Sequence, residues 1–192
     1  MTVRSLILLL TAVLMLSLSF PTFGHDFQTR EHLTPQEIEL VKDAQELDQR
    51  VEVFIKAADR RLSLITGVAA PITKQSRKGN EDWGATPTGT RAELIGDIAG
   101  IFDEAITNID DVSARDERNP LLPKALRKLA AAASRIVSQL KDLESQAKSE
   151  AEVSNFLQLT ENAESIIQAA NKLPPVVEKK TKGKTEKTKG TN

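Results

Sequence analysis

LTPQEIELVKDAQELDQRVEVFIKAADRRL, residues 33–62, decides the fold. Thr34 is placed to cap a helix, and Pro35 falls at the first helical position, where a missing N–H costs nothing. Glu37 stands three residues after the cap, where its carboxylate can return the capping hydrogen bond. Leu33 and Ile38 occupy the two positions of a hydrophobic staple. From there Ile38, Val41, Ala44, Leu47, Val51, Phe54, Ala58, Leu62 and Ile65 recur every three or four residues, winding one apolar stripe along helical sequence. No proline interrupts residues 36–70. A single helix reaching Val68 would be about 50 Å long, longer than most globular helices, so the pattern admits a break near Gln45 to Gln49.

Downstream, Pro71, Gly79, Gly84, Pro87 and Gly89 sit among polar residues, and no periodic pattern spans 71–89. A connection of this length points to disorder or to a function of its own, and it holds Trp83, the only tryptophan. A second helix opens with Thr90 and Glu93 at capping-box spacing. Its face of Leu94, Ile95, Ile98, Ile101, Phe102, Ala105, Ile106 and Ile109 is broad enough to meet two neighbours. Gly96 and Gly100 weaken this helix by roughly 1 kcal/mol each unless close packing offsets the loss. Pro120 and Pro123 mark a loop, after which Leu126, Leu129, Ala133, Ile136, Val137, Leu140 and Leu143 form a third stripe. Ser149 and Glu152 repeat the capping spacing before a fourth, from Val153 to Leu173, which Pro174-Pro175 stop. Segments 121–147 and 150–173 make either one long rod or a hairpin. The hairpin lets four amphipathic helices close around one core, whereas a rod would need a coiled-coil oligomer to bury its stripe. The expected fold is all-α, an antiparallel four-helix bundle-like domain over 34–173 with its first helix allowed to break.

Upstream, Arg4 precedes an apolar run from Leu6 to Phe20 that ends at Pro21. At about 15 residues it is shorter than the roughly 20 needed to span a bilayer and has the length of a signal-peptide core. Residues 1–24 therefore read as a signal peptide, with Thr22 and Gly24 small enough to occupy the positions three and one before a cut at His25. A retained N-terminal anchor is the alternative. Residues 25–33 read as a flexible lead. No transmembrane segment is expected in the mature chain. Residues 174–192 form a Lys/Thr/Gly tract with too little apolar surface to order. There is no cysteine, which excludes disulfides, thiolate metal sites and a cysteine nucleophile. An acidic body argues against nucleic acid as a partner, while the lysine tail suits an anionic envelope polymer.

Leu33 to Val51, LTPQEIELVKDAQELDQRV, followed by Phe54, Ala58 and Arg60-Arg61-Leu62, resembles the opening of a family of uncharacterised, exported, predicted-helical bacterial proteins. The resemblance covers the first helix only. It implies export and helical character, and it brings no activity or site residues.

Candidate sites are few. His25 and His32, with Asp26 and Glu31, match no zinc spacing, so no metal site is expected. The acidic pairs Asp103-Glu104 and Asp110-Asp111 suit catalysis only if burial or repulsion separates their pKa values, and a solvated face is the default. No serine-nucleophile elbow, phosphate-binding loop or dinucleotide fingerprint is present, so no catalytic residue and no cofactor are assigned. Arg60 and Arg61, beside Lys56, are placed to contact an anion. Lys74, Arg77, Lys78 and Trp83 form the candidate interaction loop, with tryptophan as anchor and the cations steering an acidic ligand. The expected protein is exported, periplasmic or extracellular, and acts as an envelope interaction or scaffold protein. Its partner is a protein or anionic polymer, and an oligomer is allowed. The alternative is a periplasmic hydrolytic or ligand-processing enzyme using carboxylates.

Overall fold

Helix α1 (Pro35–Asp43) starts where its capping residues require it to. Thr34 Oγ1 accepts from the Glu37 amide at 3.3 Å, and Glu37 Oε2 accepts from the Thr34 amide at 2.8 Å, closing the capping box. The helix ends at Ala44, and α2 (Leu47–Thr66) begins three residues later. Arg50 stabilises this break. Its Nε donates to the Ala44 carbonyl at 3.1 Å and its Nη2 to the Gln45 carbonyl at 3.4 Å, so one guanidinium caps the carbonyls that the interrupted helix leaves unpaired. Gly67, with φ of 70°, terminates α2 in the left-handed conformation that glycine adopts without strain. Helix α3 (Arg91–Arg115) opens with the Thr90–Glu93 capping box, α4 (Leu122–Glu144) follows the Pro120 turn, and α5 (Glu150–Asn171) starts at Ser149, whose hydroxyl accepts from the Glu152 amide. The computed structural model describes residues 30–68 and 82–174. The expected signal peptide at 1–24, the lead before Arg30, the loop residues 69–81 and the tail beyond Pro174 lie outside the described residues.

Among the described residues the domain is all-α with five packed helices, which corrects the expected antiparallel four-helix bundle in two ways. The first stripe makes two helices, α1 folding back along α2. The long helices are also not all antiparallel to their neighbours. Asp48–Lys124, Glu52–Lys128 and Asp59–Arg135 join residues that are each 76 apart, so α2 and α4 run parallel. Asn155 and Asn162 donate to the carbonyls of Ala92 and Ala99, each pair 63 apart, so α3 and α5 also run parallel. In contrast, Arg50 meets Asn108 late in α3 while Arg61 meets Asp97 early in it, which makes α2 and α3 antiparallel. The order around the bundle is α2, α3, α5, α4. The connection Asp116–Leu121 thus crosses the end of the bundle between diagonal helices rather than joining neighbours.

The core runs the length of this arrangement. Phe54, Ile95, Ile98, Ile101, Phe102, Leu129, Ile136, Leu140, Leu159 and Ile166 are all fully buried, each such side chain contributing about 1.5–3 kcal/mol relative to exposure. Leu33 and Leu47 pack beneath the two ends of α1. The glycines of α3 admit side chains rather than a neighbouring backbone. A Cβ on Gly96 would lie 2.9 Å from Asn155 Nδ2, and one on Gly100 would lie 2.9 Å from His32 Cγ. Among the described residues no helix is long and apolar enough to cross a membrane.

Candidate functional site

The chemically densest region is where α1, α2 and α3 meet. The α1–α2 reversal brings Glu37, from the first turn of α1, over Arg60 and Arg61 near the end of α2. Glu37 Oε1 accepts from Arg60 Nη1 at 2.5 Å and from Arg61 Nη1 at 2.8 Å, while its other oxygen completes the α1 cap. Glu37 is 0% exposed and Arg61 1%. Burial by itself would raise the Glu37 pKa, but the Arg61 hydrogen bond, the Thr34 amide and the two guanidinium charges outweigh it and hold the carboxyl below its ordinary value.

Arg61 is used by three elements. Nη1 also donates to the Ala57 carbonyl at 2.9 Å, Nη2 donates to the His32 carbonyl at 2.6 Å, and Nε faces Asp97 Oδ2 of α3 at 3.7 Å, beyond hydrogen-bond reach. Arg60 turns outward. Its Nη2 donates to the Ala85 carbonyl at 2.7 Å, and its guanidinium carbon lies 5.6 Å from the centroid of Trp83. Lys56 Nζ lies 5.7 Å from the same ring, so the half-buried indole has two cations within cation–π range while packing against the core. Gly84 then turns with φ of 60° beside the Gln36 side chain, and Pro87 is buried. The stretch entering α3 is thereby fastened to α1 and α2.

A second set of charges lines the α2–α4 seam. Lys124 donates to Asp48, and Lys128 reaches Glu52 at 3.1 Å and Asp48 at 3.7 Å. The hydrogen bond from Lys124 holds the Asp48 carboxyl below its usual range. Asp59 accepts from Arg135 at 2.7 Å, yet burial is the stronger influence there and raises its pKa. At the start of α3, Arg91 and Glu152 pair at 2.6 Å, lowering the carboxyl and raising the guanidinium.

Of the residues expected to form a site, Arg60 and Arg61 hold Glu37, and Trp83 sits against Lys56 and Arg60. Lys74, Arg77 and Lys78 lie outside the described residues, as does His25. His32 pairs with Glu104 at 2.7 Å. Asp103, Asp110 and Asp111 are exposed, and Asp111 lies 3.9 Å from Arg115. Among the described residues no group of three or more potential metal ligands comes together. Among the described residues, open concavities of about 430 Å³ between α1 and α2 and about 360 Å³ at the α3–α4 turn gather no paired acids beyond those already engaged or exposed. Sequence reasoning placed Glu37 as a cap and the arginines as a patch, but it did not join them. The α1–α2 hairpin that does so depends on the break after Asp43. Asp97 escaped notice because it sits within an otherwise apolar stretch of α3. No family model, curated protein or solved structure matches this chain, so the functional reading rests on its own side chains.

Proposed function

We propose that this chain is an exported, non-enzymatic interaction protein of the cell envelope, a helical body that presents one end of its bundle to a partner protein. The observation that carries this reading is the distribution of exposed apolar side chains. Leu64 and Val68, at and just beyond the end of α2, are 43% and 64% exposed, and Val153 and Leu157, in the first turns of α5, are 55% and 59% exposed. The end of α2 and the start of α5 lie at the same end of the bundle, because α2 and α4 run parallel and α4 turns directly into α5. Exposed apolar groups at one end of the bundle, on two helices that do not touch, favour a protein surface over an anionic polymer as partner. The chain leaves the described residues at this end, after Val68, and the intervening stretch carries Lys74, Arg77 and Lys78 before Trp83. Export rests on the leader-like sequence of residues 1–24.

The pairing of interior charges also supports a binding role over the carboxylate enzyme. Glu37, Asp59 and Glu152, the buried acids with hydrogen bonds to arginine, each fix one helix or segment to another, as structural ion pairs do. Photo-crosslinking in cells from positions within 71–89, with identification of the captured material, tests the proposal. A protein is expected, and its capture is expected to fall in a Val153→Glu/Leu157→Glu variant whose helicity and melting match wild type. Undiminished capture in that variant removes the bundle end from the reading. Recovery of polysaccharide or lipid instead of protein overturns the partner class.

A further inference from the structure

The chain leaves α5 on the wall of the concavity at the α3–α4 turn. Leu173 lines this space together with Ile109 of α3 and Leu122 and Leu126 of α4, while the exposed Asp110, Glu117 and Arg118 supply its charge. At about 360 Å³ it stands at the small end of binding-site sizes, suited to a few side chains rather than to a folded partner. Leu122 and Leu126 pack on the core yet stay partly open on this side. The residue after Leu173 is pinned, because the Pro174 carbonyl accepts from Arg127 Nη2 of α4. The point from which the chain continues is therefore fixed at the edge of an apolar hollow.

What continues is Pro175-Val176-Val177-Glu178-Lys179-Lys180, and Val176 and Val177 are the only aliphatic side chains in 176–192. Two valines cannot fold a segment alone, but a hollow already formed by other helices asks less of them. Pro174-Pro175 restricts the backbone to extended conformations, which removes part of the ordering cost. The tether also keeps the segment at an effective concentration on the order of mM. Charge agrees with the seat. Asp110, Asp111, Asp116 and Glu117 around this end of α3 outnumber Arg115 and Arg118, Arg115 is turned onto Asp111, and the carbonyl end of a helix itself favours cations. We propose that the concavity is a docking seat for this chain's own 175–180 segment, with Val176 and Val177 filling its apolar part and Lys179 and Lys180 meeting the acids of its rim. Docking anchors the lysine-rich tract at one defined end of the bundle. That end is opposite Leu64, Val68, Val153 and Leu157, so the seat does not depend on the partner surface assigned there.

Nuclear magnetic resonance of the full chain with labelled valine and leucine methyls tests the seat. Nuclear Overhauser contacts are expected from Val176 or Val177 to Leu122 and Leu126, with backbone order parameters above about 0.6 at both valines. Missing contacts, or order parameters below that value, overturn the proposal. Val176→Ser/Val177→Ser is expected to shift the Leu122 and Leu126 methyl signals and leave those of Leu62 and Leu94 in place. Because this variant alters no residue of the five helices, its result reads docking and not folding, and unmoved Leu122 and Leu126 signals also overturn the seat. Lys179→Glu/Lys180→Glu is expected to lower the docking equilibrium constant about two- to fivefold, the range of exposed ion pairs. An unchanged constant overturns the role given to the acidic rim. Isotope-filtered spectra of labelled chain mixed with unlabelled chain should lack the contacts; finding them there gives the seat to a second copy's segment and overturns docking within one chain.

Discussion

Replacing Glu37 by alanine tests the account of the α1–α2 clasp most directly. The substitution strands Arg61, which is 1% exposed and cannot reach water without moving core side chains. Its Nη1 would keep only the Ala57 carbonyl, and the nearest remaining carboxylate, Asp97, lies 3.7 Å from Nε. Arg60 is less affected, because its side chain is 20% exposed and retains the Ala85 carbonyl. Removing one partner of a buried pair costs about 3–5 kcal/mol, and losing the hydrogen bond that the Thr34 amide donates to Glu37 Oε2 adds about 1 kcal/mol. Asp97 offsets part of this, so the expected loss is about 3–4 kcal/mol. At roughly 2–4 °C per kcal/mol for a domain of this class, the melting temperature should fall by about 6–16 °C. Urea unfolding followed by far-UV circular dichroism gives the same quantity at constant slope. Glu37→Gln, which keeps neutral acceptors in place, should cost less than Glu37→Ala. Replacing both Glu37 and Arg61 by leucine should recover much of the loss, since an apolar pair substitutes well for a buried ionic one. A loss below about 1 kcal/mol in Glu37→Ala, with the unfolding slope unchanged, would refute the claim that Arg61 depends on this carboxylate.

Acid should weaken the domain in a defined window. Glu37, Asp48 and Glu152 have folded-state pKa values below the ordinary 4.5, 3.8 and 4.5, so their stabilisation is complete above those values and is lost as pH falls through the folded ones. A urea midpoint that stays flat as pH falls through this region would contradict the assignment. Asp59 carries the opposite sign, because its folded-state pKa is raised and its charged form is disfavoured by folding. Asp59→Asn should therefore cost less than about 1 kcal/mol at neutral pH, Arg135 being 30% exposed and able to turn to water. A loss as large as that of Glu37→Ala would show that the two arginine–carboxylate pairs are equivalent.

Much of the helical framework was legible along the chain. The Thr34 and Thr90 capping boxes start their helices where the side-chain spacing placed them, and Ser149 caps α5. These are contacts across three or four residues, so local sequence contains both partners. The count and direction of the helices were not legible in the same way. Where Arg50 reaches back to the carbonyls of Ala44 and Gln45, the apolar stripe continues across the break, so the length of the stretch allowed a break near Gln45 to Gln49 without requiring one. The parallel pairing of α2 and α4 did leave a trace. Asp48, Glu52 and Asp59 have the same spacing as Lys124, Lys128 and Arg135, a complementary pattern that becomes informative only when two distant segments are aligned. The candidate site divides similarly: Arg60, Arg61 and Trp83 stand out by residue type, while their shared connection through Glu37 and Lys56 does not.

By itself the sequence determined that this chain makes amphipathic helices and where most of them start, because apolar periodicity and capping chemistry act over a few residues. Tertiary structure decided that the described residues make five, which of them run parallel, and that Glu37 is the counter-charge of Arg61. Those outcomes depend on which distant side chains can exclude water together while each buried charge still finds a partner, a condition satisfied by the whole packing and not by any single stretch of chain.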